Sequence, residues 1–571
     1  MQEMSRRSEE EQQREEEGED DWGPSHQHKD PPTKESESHI PSTIAGVLVL
    51  LFLLGLARLF VGNFVGVGSE SLFGWAIVAV VVVFVGRGLL TTIMVALTRP
   101  PRAPVHPNPR TAWPTPRGED VEPYATPAAL ARERVQRAGG GAYLGIRESG
   151  EWAVAHPEHG IGIVGGPRSG KSTAFIIPGI DSASGAVVST STKPDVMKAT
   201  LSARSEVGQA WLFDPYGEEQ LPEGVRRLHW SPVTAATTWD QALLMAGAMT
   251  AAARPGAGTT NESHWKERSE ALLAPMLYAA NQSGRTIGDV SEWVLSRNLA
   301  PVFEVLADCD APFAIHVLKG IQETDSRERS SILSAAAGVL AAYRSDAVRA
   351  SAANPNFDPI RFARGTDTIY ITSAEQYQLL TAPLIVGLLE QIRQAVYYLA
   401  ARGEMPEWMK WYLDEFTNMA PIADPLSLIS QAGGQKLQVV LGFQDMAQIR
   451  ARYSDAVADG FMTLLQTIVL LSGTRDTRTL ETISTALGEY DRQVVSQSLG
   501  HSEPQEFMST ATHSDNVSYQ TQRQRVLPPG EIAKLPKGQA LLLESTNWEL
   551  VTLTEWFKTE PWLTIAGPDA L

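Results

Sequence analysis

The chain has 571 residues, 43% apolar and 20% charged, with a formal net charge of −18. That length exceeds one hydrophobic core and implies two to four domains. The lone Cys309 excludes a disulfide framework or a cysteine-based metal centre, and the acidic balance weighs against a surface that is basic throughout for nucleic acid.

Residues 1–39 come first, with 13 acidic and 5 basic side chains and almost no aliphatic ones. Such a segment repels itself and cannot fill a core, so it is expected to be a disordered, solvating tail or a docking segment. Residues 40–98 follow as two apolar stretches, Ser42 to Gly62 and Ser71 to Leu97. Each reaches the roughly 20 residues needed to cross a bilayer as a helix, with Arg58 and Arg87 as the interruptions. The loop between them has no Lys or Arg, whereas both outer flanks carry several. Both termini are therefore expected in the cytoplasm, with the chain spanning the inner membrane twice.

Residues 99–141 are rich in Pro, then in Gly, and read as an extended tether. Beyond them, "IGIVG", "AVVST", "AWLFD", "TIYIT", "KWYLD", "LQVVLGF" and "TIVLLSG" read as buried strands with helical patterns between most of them. The fold class expected is α/β, a parallel sheet with crossover helices, over 142–236 and 354–571. Residues 237–353 break the alternation with Ala/Leu-rich helical patterns only, and predict an inserted all-α domain.

"GGPRSGKS", Gly165 to Ser172, follows the first of these strands and fits the phosphate-binding loop G-x-x-x-x-G-K-[ST]. Gly165, Gly166, Pro167, Arg168, Ser169, Gly170, Lys171, Ser172 and Thr173 are expected to cradle ATP. Lys171 would reach the outer phosphates and the Ser172 hydroxyl would ligate Mg²⁺, with helix N-terminal amides facing the anion.

The second half of such a site is a carboxylate at the end of another buried strand. "WMKWYLDEF" supplies Asp414, assigned to Mg²⁺, and Glu415, assigned as general base. Strand alternation would point the two to opposite sides; the alternative is that they cap the next helix. The 242 residues between Ser172 and Asp414 suit a motor with a domain inserted between its nucleotide motifs. Gln444, ending "LQVVLGFQ", is a candidate sensor of the γ-phosphate.

Taken together, "GGPRSGKST", "AVVSTSTKPDVMKAT", "WYLDEFTNMAPIADPLSLIS", "VVLGFQDMAQI", "SGTRDTRTLETISTALG" and "RVLPPGEIAKLPKGQALLL" resemble the coupling proteins of type IV secretion systems. This is the TraG/TraD group of conjugative DNA-transfer ATPases. The resemblance implies a RecA-like P-loop ATPase domain with an inserted all-α domain, preceded by two transmembrane helices. It also implies a homo-hexamer that receives single-stranded, relaxase-bound DNA and drives it to the secretion channel proteins. A neighbour's arginine would complete each ATP site. Where family members often carry a "GRG"-like turn, this chain has "SQAGGQKLQ", so Arg475 or Arg478 is expected to supply that charge, with Lys436 or Arg450 as alternatives. Two other readings stay open: a coupling ATPase for protein effectors, and an FtsK-type translocase of double-stranded DNA.

Overall fold

The computed structural model describes residues 125–253, 262–501, 513–545 and 547–570. The tail at 1–39 and both expected membrane spans lie outside these residues, as does most of the expected tether. Within the tether's last part, Pro127–Arg137 is a helix instead of extended chain. Thr126 caps it through the Ala129 amide, Pro127 fits its first turn, and Ala128, Ala131 and Val135 bury one face.

Twelve strands form one sheet. In chain order they are β1 (Tyr143–Arg147), β2 (Trp152–Val154), β3 (Ile161–Val164), β4 (Val187–Ser191), β5 (Ala210–Phe213), β6 (Val225–Arg227), β7 (Thr368–Thr372), β8 (Met409–Leu413), β9 (Leu437–Phe443), β10 (Thr467–Leu471), β13 (Gln539–Glu544) and β14 (Asn547–Thr552). The spatial order is β2-β1-β14-β13-β10-β3-β9-β8-β4-β7-β5-β6. From β10 to β6 all neighbours run parallel. These include all seven expected strands. Pairing is antiparallel on the other flank, from β10 through β13, β14 and β1 to β2.

The central strands are apolar on both faces because both faces are covered. Trp411, Leu413, Val439 and Leu441 join a core shared with the helices of 239–364 and with Gln378–Ala400. Tyr412, Val440, Ile161 and Ile163 point to the opposite core, under Pro127–Arg137 and Ile177–Asp181. Among the described residues from Trp239 to Arg364 there are helices and no strand. The helix Glu375–Ala400 is long and apolar enough to span a bilayer, yet Ile385, Leu388 and Ile392 place it in the core.

Apart from this sheet, β11 (Glu489–His501) and β12 (His513–Arg525) form a two-stranded ribbon.

Candidate nucleotide-binding site

β3, β9 and β8 are neighbours and parallel, so the loops that follow them open on one sheet edge, where α/β folds bind ligands. The phosphate loop follows β3. Its shape requires glycine at two points: Gly170 has φ 102°, and a Cβ on Gly165 would stand 2.6 Å from Ser169 Oγ and 2.8 Å from the Leu471 side chain. After the loop, Ser172–Ile176 winds as a π-helical turn into the helix Ile177–Asp181. Such turns recur at functional sites.

Lys171 is buried, and its Nζ donates to the carbonyls of Gly165 at 2.6 Å and Gly166 at 3.2 Å. Ser169 Oγ is buried with no hydrogen-bond partner among the described residues. A hydroxyl left in that state fits an acceptor brought by a ligand.

Ser172 Oγ donates to Asp414 Oδ2 at 2.7 Å, closing the 242-residue gap. Thr190 Oγ1, at the end of β4, donates to the Asp414 carbonyl at 2.9 Å and fixes the backbone there. Strand alternation is not what parts the two carboxylates, because β8 ends at Leu413. Glu415 instead takes the left-handed conformation, φ 49°, and its amide donates to Asp414 Oδ1 at 3.0 Å. Neither carboxylate caps the short helix Phe416–Met419: Glu415, at the N-cap position before it, makes no side-chain capping bond. Burial, then the charge of Asp414, pushes the Glu415 carboxyl above the usual carboxylate range, opposed by Lys171 and Gln444. Gln444 follows β9 and donates from Nε2 to Glu415 Oε1 at 3.5 Å. Lys171, Ser172, Asp414, Glu415 and Gln444 thus converge.

A cleft of about 1140 Å³ opens beside the phosphate loop. Gly166 to Gly170 and Gln444 line one side; Ser472 to Asp476 and the C-terminal residues Leu535, Lys537, Leu553 and Lys558 line the rest. No motif in the sequence marks the C-terminal wall as part of the site. Its signal in the sequence is weak, because one short apolar run (Ala540–Leu543) and scattered Pro and Gly fix no position relative to Gly165. The Trp556 amide, donating to the Thr173 carbonyl at 3.0 Å, ties this wall to the phosphate loop.

The cationic candidates separate. Arg475 lines the cleft. Arg478 is on the exterior, paired with Asp455 and Asp459 at 2.6 and 3.5 Å. Arg450 pairs with Asp476 at 2.7 Å. Lys436 precedes β9, at the opposite sheet edge from Asp414, and donates to the Met405 carbonyl at 3.1 Å.

The family described as type IV secretory system conjugative DNA transfer matches residues 129–559. No curated protein matches the sequence. Similar solved structures include the unbound monoclinic form of the bacterial conjugative coupling protein TrwBdeltaN70, at 18% identity and TM-score 0.53, covering 74% of this chain and 91% of that one. The plasmid coupling protein TrwB with ADP and Mg²⁺ has 19% identity and TM-score 0.50, covering 70% and 85%. TrwB with the ATP analogue ADPNP has 19% identity and TM-score 0.50, covering 70% and 86%. At these identities the likeness establishes the fold. The match over 129–559, most of the length, shows that the chain belongs to the type IV secretory system conjugative DNA transfer family.

Proposed function

We propose that this chain is a membrane-anchored, ATP-hydrolysing coupling motor, acting as a homo-hexamer that passes a relaxase-bound single DNA strand to a type IV secretion channel. The observation that carries the nucleotide chemistry is the 2.7 Å hydrogen bond from Ser172 Oγ to Asp414 Oδ2. Those two hard oxygen donors fit Mg²⁺, which when bound would neutralise charge on the outer phosphates. The complexes of TrwB with ADP and Mg²⁺ and with an ATP analogue support the same ligands here.

Lys171 is the cation placed for the outer phosphates, held in the loop by its own carbonyls until a ligand competes for it. Glu415 takes a proton from the attacking water, and its raised basicity suits that role. Gln444, in contact with Glu415, is placed to orient that water. The helices between the two nucleotide motifs form an inserted domain over 237–353, flanked by the nucleotide domain at 142–236 and 354–571. Two membrane helices in 40–98 anchor the chain in the inner membrane with both termini cytoplasmic.

The family match supports DNA as cargo; the net charge of −18 is the observation that favours protein cargo instead. The test is ATP hydrolysis by the full chain with and without single-stranded DNA, at about 50 and about 200 mM salt. DNA cargo predicts stimulation that falls steeply with salt, because bound phosphates release counterions, and predicts no turnover in Lys171→Ala. Absence of stimulation at both salts would favour protein cargo. Normal turnover by Lys171→Ala would overturn the site itself.

A further inference from the structure

A second cavity, of about 370 Å³, lies apart from the nucleotide cleft, between the helices of 239–282 and the sheet. Leu243 and Ala248 of the helix Trp239–Ala252 line it, with Val386 and Leu389 of Gln378–Ala400 and Leu428 of Pro425–Gln431. Trp411 of β8 also lines it, three residues before Asp414. Small-molecule sites have this character: they are mostly apolar, begin at about 300 Å³, and hold a few polar groups that fix orientation.

The polar groups decide what this cavity suits. Four charged side chains line it: Glu270, Glu390, Arg393 and Asp424. Three of them are matched. Arg393 donates from Nε and Nη2 to the two Glu390 oxygens at 2.9 and 2.8 Å. Asp424 Oδ1 accepts from the Ser427 amide at 3.0 Å and caps the helix Pro425–Gln431.

Glu270, on the helix Glu262–Gln282, enters no ion pair or hydrogen bond among the described residues. Its carboxyl stands over Gly247, where an added Cβ would lie 3.4 Å from Glu270 Cδ and Oε2. The charged neighbours are Glu267 and Lys266, both on its own helix. Burial, then Glu267, pushes the Glu270 carboxyl above the usual carboxylate range, opposed by Lys266. A half-buried carboxylate left in this state is matched best by a cation brought from outside.

A second polar group lacks its match. Trp411 Nε1 is buried with no hydrogen-bond partner among the described residues, although a buried indole N–H normally has one. The residues of this one cavity therefore include an acceptor without a cation and a donor without an acceptor.

We propose that this cavity binds a small organic cation: an amine with an apolar body and one acceptor oxygen. Its ammonium pairs with Glu270, its body packs among Leu243, Val386 and Leu389, and its oxygen serves the Trp411 side of the cavity. The lining selects against an anion, because it carries three carboxylates and one guanidinium, and that guanidinium is already held by Glu390. The occupant lies against β8, the strand that ends beside Asp414.

The test is isothermal titration of the full-length chain in nanodiscs, with empty nanodiscs as blank. Three probes share one body: 4-phenoxybutylamine, its N-acetyl derivative and 4-phenoxybutyrate. The amine should bind one saturable site, the neutral derivative tenfold or more weakly, and the carboxylate more weakly still. Glu270→Gln should bring the amine down to the level of the neutral probe at a wild-type melting temperature. Gly247→Leu, which improves helix propensity while filling the cavity beside Glu270, should abolish binding of all three. Absence of saturable amine binding, any other order of the probes, or an amine preference that survives Glu270→Gln would each overturn the site. So would wild-type amine binding by Gly247→Leu. Binding is read without nucleotide, so these outcomes are independent of the Lys171→Ala test.

Discussion

Replacing Glu415 by glutamine removes one charge and one proton acceptor while keeping the side chain's shape. Its left-handed backbone, φ 49°, is unaffected, and the amide still donates to Asp414 Oδ1. What is lost is the group that would take the proton of the attacking water. A positioned general base contributes about 10²–10⁴-fold, or about 3–5 kcal/mol of barrier at 1.36 kcal/mol per tenfold. Nucleotide affinity should hold or rise slightly, because Lys171 and the Ser172–Asp414 pair are intact and the Asp414–Glu415 repulsion is relieved. The pH profile gives an independent reading. Burial and Asp414 raise the Glu415 pKa, so wild-type turnover falls as pH drops through a value above that of a free glutamate, and this acid limb disappears in Glu415→Gln. Phosphate release measured from pH 5 to 9, beside fluorescent-nucleotide binding, checks both. A variant that keeps more than about a tenth of wild-type turnover, or the same acid limb, would refute Glu415 as the base.

Gly442→Ala should cut hydrolysis tenfold or more with a stability loss of about 1–3 kcal/mol at most, because the new Cβ would lie 2.9 Å from Asp414 Oδ1 and displace it from Ser172; steady-state turnover beside a thermal melt checks it. Arg475→Ala should lose turnover strongly, and part of it should return on mixing with Lys171→Ala subunits if the guanidinium acts across an interface. Arg478→Ala should stay near wild type, because that side chain is committed to Asp455 and Asp459 on the exterior. Burial lowers Lys410 to about 7 from 10.5 in the unfolded chain, so between those values the unfolded state binds more protons and folding stability rises with pH. Lys410→Met removes that slope, and its stability relative to wild type, from denaturant melts, should decline steadily from pH 7 to pH 10.

Seven of the eight parallel strands are legible in the sequence, all but the short β6, and so is the spacing of both expected nucleotide motifs. A strand buried on both faces is a continuous apolar run, and a phosphate loop needs its Gly, Lys and Ser at fixed local spacing. The antiparallel β1, β2 and β14 are short or half-exposed, so no run marks them, and the sequences of β11 and β12 are mostly polar with no alternation of apolar residues. Which distant residues meet follows from the packing of the strands. The order β3-β9-β8 brings Ser172 onto Asp414 and Gln444 beside Glu415. The shared direction of β10, β3 and β9 parts Arg475, past the end of β10 in the cleft, from Lys436, before the start of β9 at the far edge. The left-handed turn at Glu415 lay equally beyond local pattern, since glutamate has no intrinsic preference for it and the surrounding packing holds it there. Local period reports which face of an element is buried, whereas strand order and the cleft walls arise from contacts between segments hundreds of residues apart, which no local spacing records.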